Sequence, residues 1–111
     1  HVWVWVVDTK IRMKRPPVGV SRGILEASVV HAREVFREAV RANGAAVVLA
    51  HNHPSGDPTP SADDLRLTRR LIEAGRIVDI RVLDHVVLGR EDGDGDSFAS
   101  LRELGLVDFQ A

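Results

Sequence analysis

Two histidines lie one residue apart at the end of an apolar run, and this pair is the part of the sequence best suited to chemistry. The run, residues 45–50, predicts a strand, whose side chains alternate between faces, so His51 and His53 point the same way, about 7 Å apart. Two imidazoles on one face suit a divalent metal ion, and a carboxylate from an adjoining element can supply a third ligand. The sequence therefore predicts a metal site at this strand end.

The segment after the histidines contains the candidate third ligand. Residues 54–60 are rich in proline, which stiffens the loop, and a helix is predicted to begin at Ser61. On a helical wheel Asp64 falls in the middle of the apolar arc, whereas Asp63 falls outside it. A carboxylate directed inward costs several kcal/mol unless it is paired or bound to a cation, so Asp64 is the candidate ligand.

Both features also have an explanation that requires no metal. Ser61 followed three residues later by an acid resembles a capping box, and an acid in the first turn suits the helix dipole. The histidines can likewise be hydrogen-bonded polar side chains at a strand end. The His-x-His pair, the stiff loop and the inward aspartate together favour a metal site, in which the helix start serves both purposes.

The elements that must position these residues predict a single α/β domain. Strands are expected at residues 2–7, 18–21, 45–50 and, as one or two strands, 80–89; helices are expected at about 32–43 and 61–75, with a short closing helix at 100–104. The first strand lacks polar alternation, as expected of a strand buried on both faces. The buried face of the first helix is predicted to carry Ala32, Val35, Phe36, Ala39 and Val40. The expected architecture is a mixed sheet flanked by helices, and residues 91–96 read as an acidic loop.

Composition limits the classes of function. The 111 residues include no cysteine, which excludes disulfides and thiolate ligands, so any metal must be held by histidine and carboxylate, as in catalytic zinc sites. The net charge of −1 does not indicate that the chain as a whole binds polyanions. The outer face of the second helix is nevertheless basic, and its residues include Arg66, Arg69 and Arg70. These arginines can be a solvated surface or can contact DNA phosphates, and both interpretations stay open. No apolar run is long enough to span a membrane, and a cytoplasmic location is expected.

The histidine motif resembles that of a known superfamily. The signature of the JAMM (MPN+) metalloproteases is matched by His51-x-His53, seven further residues and Ser61-x-x-Asp64. The amino-acid sequence of residues 51–61 resembles that of the RadC branch. Residues 22–23, 33–36 and 83–85 also resemble that branch, so the likeness covers nearly the whole chain. The resemblance implies a cytidine-deaminase-like JAB/MPN fold and one zinc ion held by His51, His53 and Asp64, with a water in the fourth position. Ser61 would hydrogen-bond that water or the developing oxyanion.

The resemblance also implies a catalytic glutamate on or just before the first strand. No acid lies between His1 and Val7, and the family position falls immediately before His1. Internal glutamates are present at residues 26, 34 and 38, but none is assigned the role. We therefore expect residues 1–111 to be one RadC-like JAMM/MPN domain from the C-terminal part of a longer chain, able to bind zinc without its proton carrier.

Three functions follow from the sequence. The first is a zinc-dependent peptidase or isopeptidase that uses a zinc-activated water. The second is a DNA-associated protein or metal-dependent nuclease, motivated by the DNA-repair label of the RadC branch and by the arginine face. The third is a scaffold that keeps the fold and the metal without catalysis. Outside the motif, His85 is expected to be a structural or hydrogen-bonded histidine.

Overall fold

A computed structural model describes residues 2–10, 12–13, 17–21, 30–53, 55–89 and 98–109. Within these ranges the elements follow the order strand β1 (Val2–Val7), strand β2 (Val18–Ser21), helix α1 (Ala32–Arg41), strand β3 (Ala46–Asn52), helix α2 (Ala62–Val78), strand β4 (Arg81–Leu88) and strand β5 (Phe98–Ser100). The expected α/β class is confirmed. No helix in the described ranges is both long and apolar enough to cross a lipid bilayer.

The strands form one mixed sheet in the order β2-β1-β3-β4-β5. Strand β1 is antiparallel to both β2 and β3, β3 is parallel to β4, and β5 is antiparallel to β4. On β3, His51 lies between Val2 of β1 and Val87 of β4. The first histidine of the motif is therefore held by backbone pairing on both sides, in the middle of the sheet.

Both helices lie on the same face of the sheet. The connections β2-α1-β3 and β3-α2-β4 advance in the same direction across the sheet, and right-handed crossovers of that kind place their helices together. Helix α1 accordingly contacts α2 as well as β1 and β3. The core lies between this helical layer and the sheet, and its most buried side chains include Val4, Val35, Leu49, Leu67 and Leu71.

The opposite face of the sheet is less covered than the sequence predicts. Val2, Val4 and Val6 are buried against the helices, but Trp3 and Trp5, which alternate with them, are only half-buried. The prediction of a first strand buried on both faces is therefore wrong for the tryptophan face. The physical reason is that the two crossovers place α1 and α2 on the valine face alone.

Several element boundaries differ from the predicted ones. Strand β3 extends to Asn52 because its last residues still pair with β4, and residues 81–88 form one strand. Helix α2 continues past Gly75 and ends at Val78, and the C-cap residue Asp79 has a left-handed φ of 58°. The predicted closing helix is wrong: residues 98–100 pair with β4 as a strand, and turns follow. Predictions for residues 22–29 and for the acidic loop lie outside the described residues.

Helix α1 uses a narrower buried stripe than predicted. Val35, Phe36 and Ala39 are buried, as expected, but the Val40 side chain is 61% exposed. The helix contacts β1, β2, β3 and α2, and these contacts leave Val40 on the exposed side of α1. The prediction for Val40 is therefore wrong, because a helical wheel gives the centre of an apolar stripe better than its width.

Candidate metal centre

The three predicted metal ligands converge at the C-terminal end of β3. His51 is the penultimate residue of β3, His53 follows the strand, and Asp64 lies in the first turn of α2. One potential ligand atom from each residue lies within 4.8 Å of the others. His51 and Asp64 are fully buried, whereas His53 is half-buried, so the cluster has one side open to solvent.

The start of α2 is a capping box, and it fixes the direction of the Asp64 carboxylate. The Ser61 hydroxyl oxygen accepts a hydrogen bond from the Asp64 backbone N–H at 3.1 Å, and the carboxylate accepts one from the Ser61 N–H at 2.8 Å. Asp63, by contrast, forms an ion pair with Arg66 on the outer side of the helix. The prediction that Asp64 rather than Asp63 faces inward is confirmed.

The hydrogen bonds of His53 define which of its nitrogens faces the site. Its Nδ1 lies 3.0 Å from the Asp57 carbonyl oxygen, which can only accept, so Nδ1 carries the proton. In the neutral tautomer that this bond selects, the lone pair is on Nε2, which lies 2.9 Å from Asp64 Oδ2. Two acceptors at this distance repel unless a second proton or a cation lies between them.

His51 approaches the other oxygen of the same carboxylate. Its Nδ1 lies 3.3 Å from Asp64 Oδ1, while its Nε2 is buried without a hydrogen-bond partner among the described residues. The two imidazole rings are edge-on, with centroids 5.4 Å apart. The carboxylate thus has one imidazole at each oxygen, an N,N,O donor set that could hold a divalent metal ion.

The Asp64 carboxylate is charged at neutral pH despite its burial. Burial by itself raises the pKa of a carboxyl group, but here the hydrogen bonds from His51 and Ser61 outweigh it and hold the Asp64 pKa well below its ordinary value. A buried negative charge is stable only with such compensation. The site therefore presents a fixed anion between two imidazoles, which is the electrostatic environment that a cation requires.

Two polar residues behind Asp64 were not assigned to the site by the sequence. The Thr68 hydroxyl lies 2.7 Å from the Asp64 carbonyl oxygen and 2.6 Å from Nδ1 of His85. The expectation that His85 is a hydrogen-bonded histidine is confirmed, and burial lowers its pKa to about 4, so the ring is neutral at pH 7. The sequence feature that could have identified Thr68 as a site residue is its position in the apolar arc of α2, one turn after Asp64.

The arginines of the outer α2 face are partly engaged within the chain. Arg66 pairs with Asp63, and Arg70 donates to the Val30 carbonyl oxygen at 2.6 Å. Arg69 is exposed on the same face. The basic surface is therefore present as the sequence predicts, but part of its hydrogen-bonding capacity orders α2 against the segment before α1.

Sequence comparison agrees with the fold and the site. The sequence model of the RadC-like JAB domain matches residues 1–106. The chain is similar to UPF0758 proteins of Symbiobacterium thermophilum (56% identical over 88 residues, 79% of this chain and 36% of the relative) and Geobacter sulfurreducens (56% over 95 residues, 86% and 40%). It is also similar to that of Desulforudis audaxviator (49% over 106 residues, 96% and 44%).

The matched region is a part of each relative. In all three, the aligned segment is less than half of the relative's length. The family match and the His51, His53 and Asp64 cluster together support a metal-dependent, hydrolase-like domain. With a family model that covers residues 1–106 and relatives about half identical to it, this chain belongs to the RadC-like JAB domain family.

Proposed function

We propose that this chain is the zinc-binding domain of a metallopeptidase that cleaves peptide or isopeptide bonds. The observation that carries the proposal is the convergence of two imidazoles on one buried carboxylate, with His53 Nε2 2.9 Å from Asp64 Oδ2 and His51 Nδ1 3.3 Å from Oδ1. A cation held by these three residues would use the negative charge that the fold keeps in the interior. His51 completes the donor set from the other side of the carboxylate.

The residue types suit a catalytic rather than a structural ion. Two neutral imidazoles and one carboxylate leave a divalent cation with a net positive charge and with room for a further ligand, and His53 lies on the solvent-accessible side. A bound zinc ion supplies Lewis acidity and lowers the pKa of water toward neutrality. The Asp57 carbonyl, through His53 Nδ1–H, keeps the ring oriented with Nε2 toward the site.

Ser61 is proposed to stabilise the developing oxyanion of the substrate. In the capping box its oxygen uses a lone pair to accept the Asp64 N–H. The hydroxyl proton is not consumed by that bond, so Ser61 can donate it to a substrate oxygen beside the metal ligands. A donor fixed by a helix start needs little reorganisation when charge develops, which is the requirement for oxyanion stabilisation.

Hydrolysis also requires a proton carrier, and the cluster of His51, His53 and Asp64 contains no glutamate. We place the general base on the residue immediately before His1, as the family resemblance implies. In the sheet, Val2 pairs with His51, so strand β1 begins beside the first proposed metal ligand. Peptidase activity is accordingly proposed for the longer protein, and metal binding for the residues 1–111.

Metal binding is tested first, on the chain itself. We expect zinc to bind with one ion per chain and to raise the free energy of unfolding by about 3 kcal/mol at a free concentration of 100 times Kd. Asp64→Asn should weaken zinc binding more than 100-fold, roughly the upper bound for loss of a supporting partner. The matched control is Asp63→Asn, which removes the neighbouring carboxylate on the outer side; equal loss in both variants would contradict the assignment.

Hydrolysis is tested on a chain extended upstream to include the residue before His1. A panel of linear peptides and lysine-linked isopeptides is incubated with the zinc-loaded protein, and cleavage is followed by mass spectrometry. We expect cleavage that is lost with His53→Gln and with replacement of the residue immediately before His1 by alanine. Zinc binding without cleavage of any peptide by the extended chain would favour the scaffold function instead.

DNA association through Arg66, Arg69 and Arg70 stays a second hypothesis, supported by their exposure on one helix face. Binding through phosphates would weaken steeply with salt, and replacing the three arginines by glutamine would reduce the salt dependence. Because Arg66 and Arg70 already have partners in the chain, Arg69 should contribute most. Binding insensitive to salt or to the replacements would contradict this hypothesis.

A further inference from the structure

Two buried polar side chains lie behind Asp64 and take no part in the proposed hydrolysis. The Thr68 hydroxyl is 2.7 Å from the Asp64 carbonyl oxygen and 2.6 Å from His85 Nδ1. Both side chains have no exposed surface. Burying polar groups in an apolar core is costly unless hydrogen bonds are made, and the bond to Thr68 is the one that the His85 ring makes among the described residues, where its Nε2 has no partner. The geometry of the pair is therefore narrowly constrained.

The direction of each hydrogen bond follows from the chemistry of the partners. The Asp64 carbonyl can only accept, so the single hydroxyl proton of Thr68 is donated to it. Toward His85 the Thr68 oxygen must then accept, which places a proton on His85 Nδ1. Since burial keeps the pKa of His85 at about 4, the ring is neutral and this one proton is its only donor. The bonds therefore run from His85 through Thr68 to Asp64.

These bonds tie the first turn of α2 to the strands that carry the histidines. His85 lies on β4 opposite Leu49 of β3, two residues before His51 on β3. Asp64 is then fixed from two directions: Ser61 N–H holds its carboxylate, and Thr68 holds its carbonyl oxygen. The Thr68–Asp64 bond lies within α2, so it is the buried Thr68–His85 bond that a displacement of the helix relative to β4 would have to break.

We infer that Thr68 and His85 are positioning residues, which hold the Asp64 carboxylate at the distance from His51 and His53 that metal binding requires. The inference rests on the proposed function, because it concerns the same metal. Groups that orient a ligand from behind commonly change metal affinity 10- to 100-fold when they are removed. Neither residue contacts the metal or the substrate in this role.

A purely structural role for the pair predicts a different outcome. If Thr68 and His85 only satisfy each other in the core, their removal lowers the stability of the metal-free protein and leaves the affinity and geometry of the metal site unchanged. A positioning role changes the affinity and also the coordination geometry. The absorption spectrum of bound Co²⁺ reports that geometry and does not depend on catalysis.

The experiment compares Thr68→Val, which has nearly the same shape without the hydroxyl, with Thr68→Ser, which keeps it. Zinc affinity is measured by competition with a chromophoric chelator, and Co²⁺ spectra are recorded on the same proteins. We expect Thr68→Val to weaken zinc binding about 10- to 100-fold and to shift the Co²⁺ bands. Thr68→Ser should restore both. Ser100→Ala is the matched control, because it removes a buried hydroxyl bonded to Asp84 on β4 without touching α2.

Wild-type affinity in Thr68→Val, or equal losses in the Val and Ser variants, would overturn the inference. Should Thr68→Val fail to fold, His85→Gln and His85→Leu replace it. The glutamine amide can still donate to Thr68, so it should bind zinc more tightly than the leucine variant, and equal affinities count against positioning. A wild-type chain that binds no metal would contradict the proposed function itself, a result distinct from normal binding in the variants.

Discussion

The two ends of helix α2 are attached to the sheet by different interactions. At the N-terminal end the contacts are polar: Asp64 meets His51 and His53, and Thr68 meets His85. At the C-terminal end the contact is steric, because Gly75 lies so close to the Ile80 carbonyl that a Cβ would overlap the carbonyl oxygen. The chain reverses there through Asp79, and Ile80 N–H bonds the Gly75 carbonyl at 2.9 Å.

This difference separates the polar groups of the candidate metal site from the packing that stabilises the fold. Buried polar groups at the N-terminal end gain little net stability, since their hydrogen bonds only offset lost hydration. Close packing at the C-terminal end stabilises the fold without contributing a reactive group. Asp64 and Gly75 are separated by about 16 Å along the helix, so changes at one end should leave the other unaffected.

Lowering the pH should reduce the stability of the fold through His85, which lies at the polar end of α2. His85 has a pKa of about 4 in the folded chain and 6.5 ordinarily, so between these values the unfolded chain binds the extra proton. The free energy of unfolding should therefore be highest above pH 6.5 and fall by about 3 kcal/mol as the pH drops to 4, with no further loss from this group below. Urea unfolding of the metal-free protein from pH 4 to 7 measures it.

The control for the pH experiment is His85→Gln, which cannot titrate. As the pH drops to 4, the free energy of unfolding of this variant should fall by about 3 kcal/mol less than that of the wild type. The lowered pKa of Asp64 does not interfere, since its contribution is present above 3.8 and is lost only as the pH falls through a still lower value. Identical slopes in the two proteins would contradict the assignment to His85.

Filling the close contact at the other end should affect stability alone. Gly75→Ala places a methyl group against the Ile80 carbonyl oxygen and near the Phe36 ring. We expect the free energy of unfolding to fall by about 1–3 kcal/mol through overpacking, with zinc affinity unchanged. Gly19→Ala on β2 is the control, because nothing lies within 4 Å of its added Cβ. A large loss of zinc affinity in Gly75→Ala would show that the two ends are coupled.

Substitutions of Ser61 should have the smallest effect on stability, and they distinguish its role as helix cap from its proposed role in catalysis. Ser61→Ala should cost about 1 kcal/mol of unfolding free energy, whereas Ser61→Gly should cost only a few tenths, because glycine is tolerated at the N-cap. Both variants lack the hydroxyl proposed to stabilise the oxyanion, so both should lose peptide cleavage in the extended chain. Cleavage that follows stability rather than the hydroxyl would remove Ser61 from the catalytic role.

The facing of the site residues was predictable because it depends on local geometry. Strand alternation placed His51 and His53 on one face, and helical periodicity selected Asp64 over Asp63. The serine N-cap was equally visible, since a capping box spans only four residues. Each of these rules operates within one or two turns of backbone, where sequence spacing is nearly equivalent to distance.

Elements that depend on distant partners were predicted less well. The closing helix predicted at residues 100–104 does not form: residue 100 ends strand β5, which pairs with β4, and turns follow. The second helix was predicted to end at about residue 75, but it continues to Val78, and the small size of Gly75 lets α2 pass close to the Ile80 carbonyl. In both cases a tertiary contact outweighs the local preference of the chain.

The sequence by itself thus determined the donor set of the site: two imidazoles and one inward carboxylate beside a serine cap. The tertiary structure decided which atoms meet. Thr68 and His85 are 17 residues apart and Arg70 and Val30 are 40 apart, yet both pairs are hydrogen-bonded. Residue types specify donors and acceptors, but the packing of α2 on β3 and β4 sets the separations at which a hydrogen bond or a metal ligand can act.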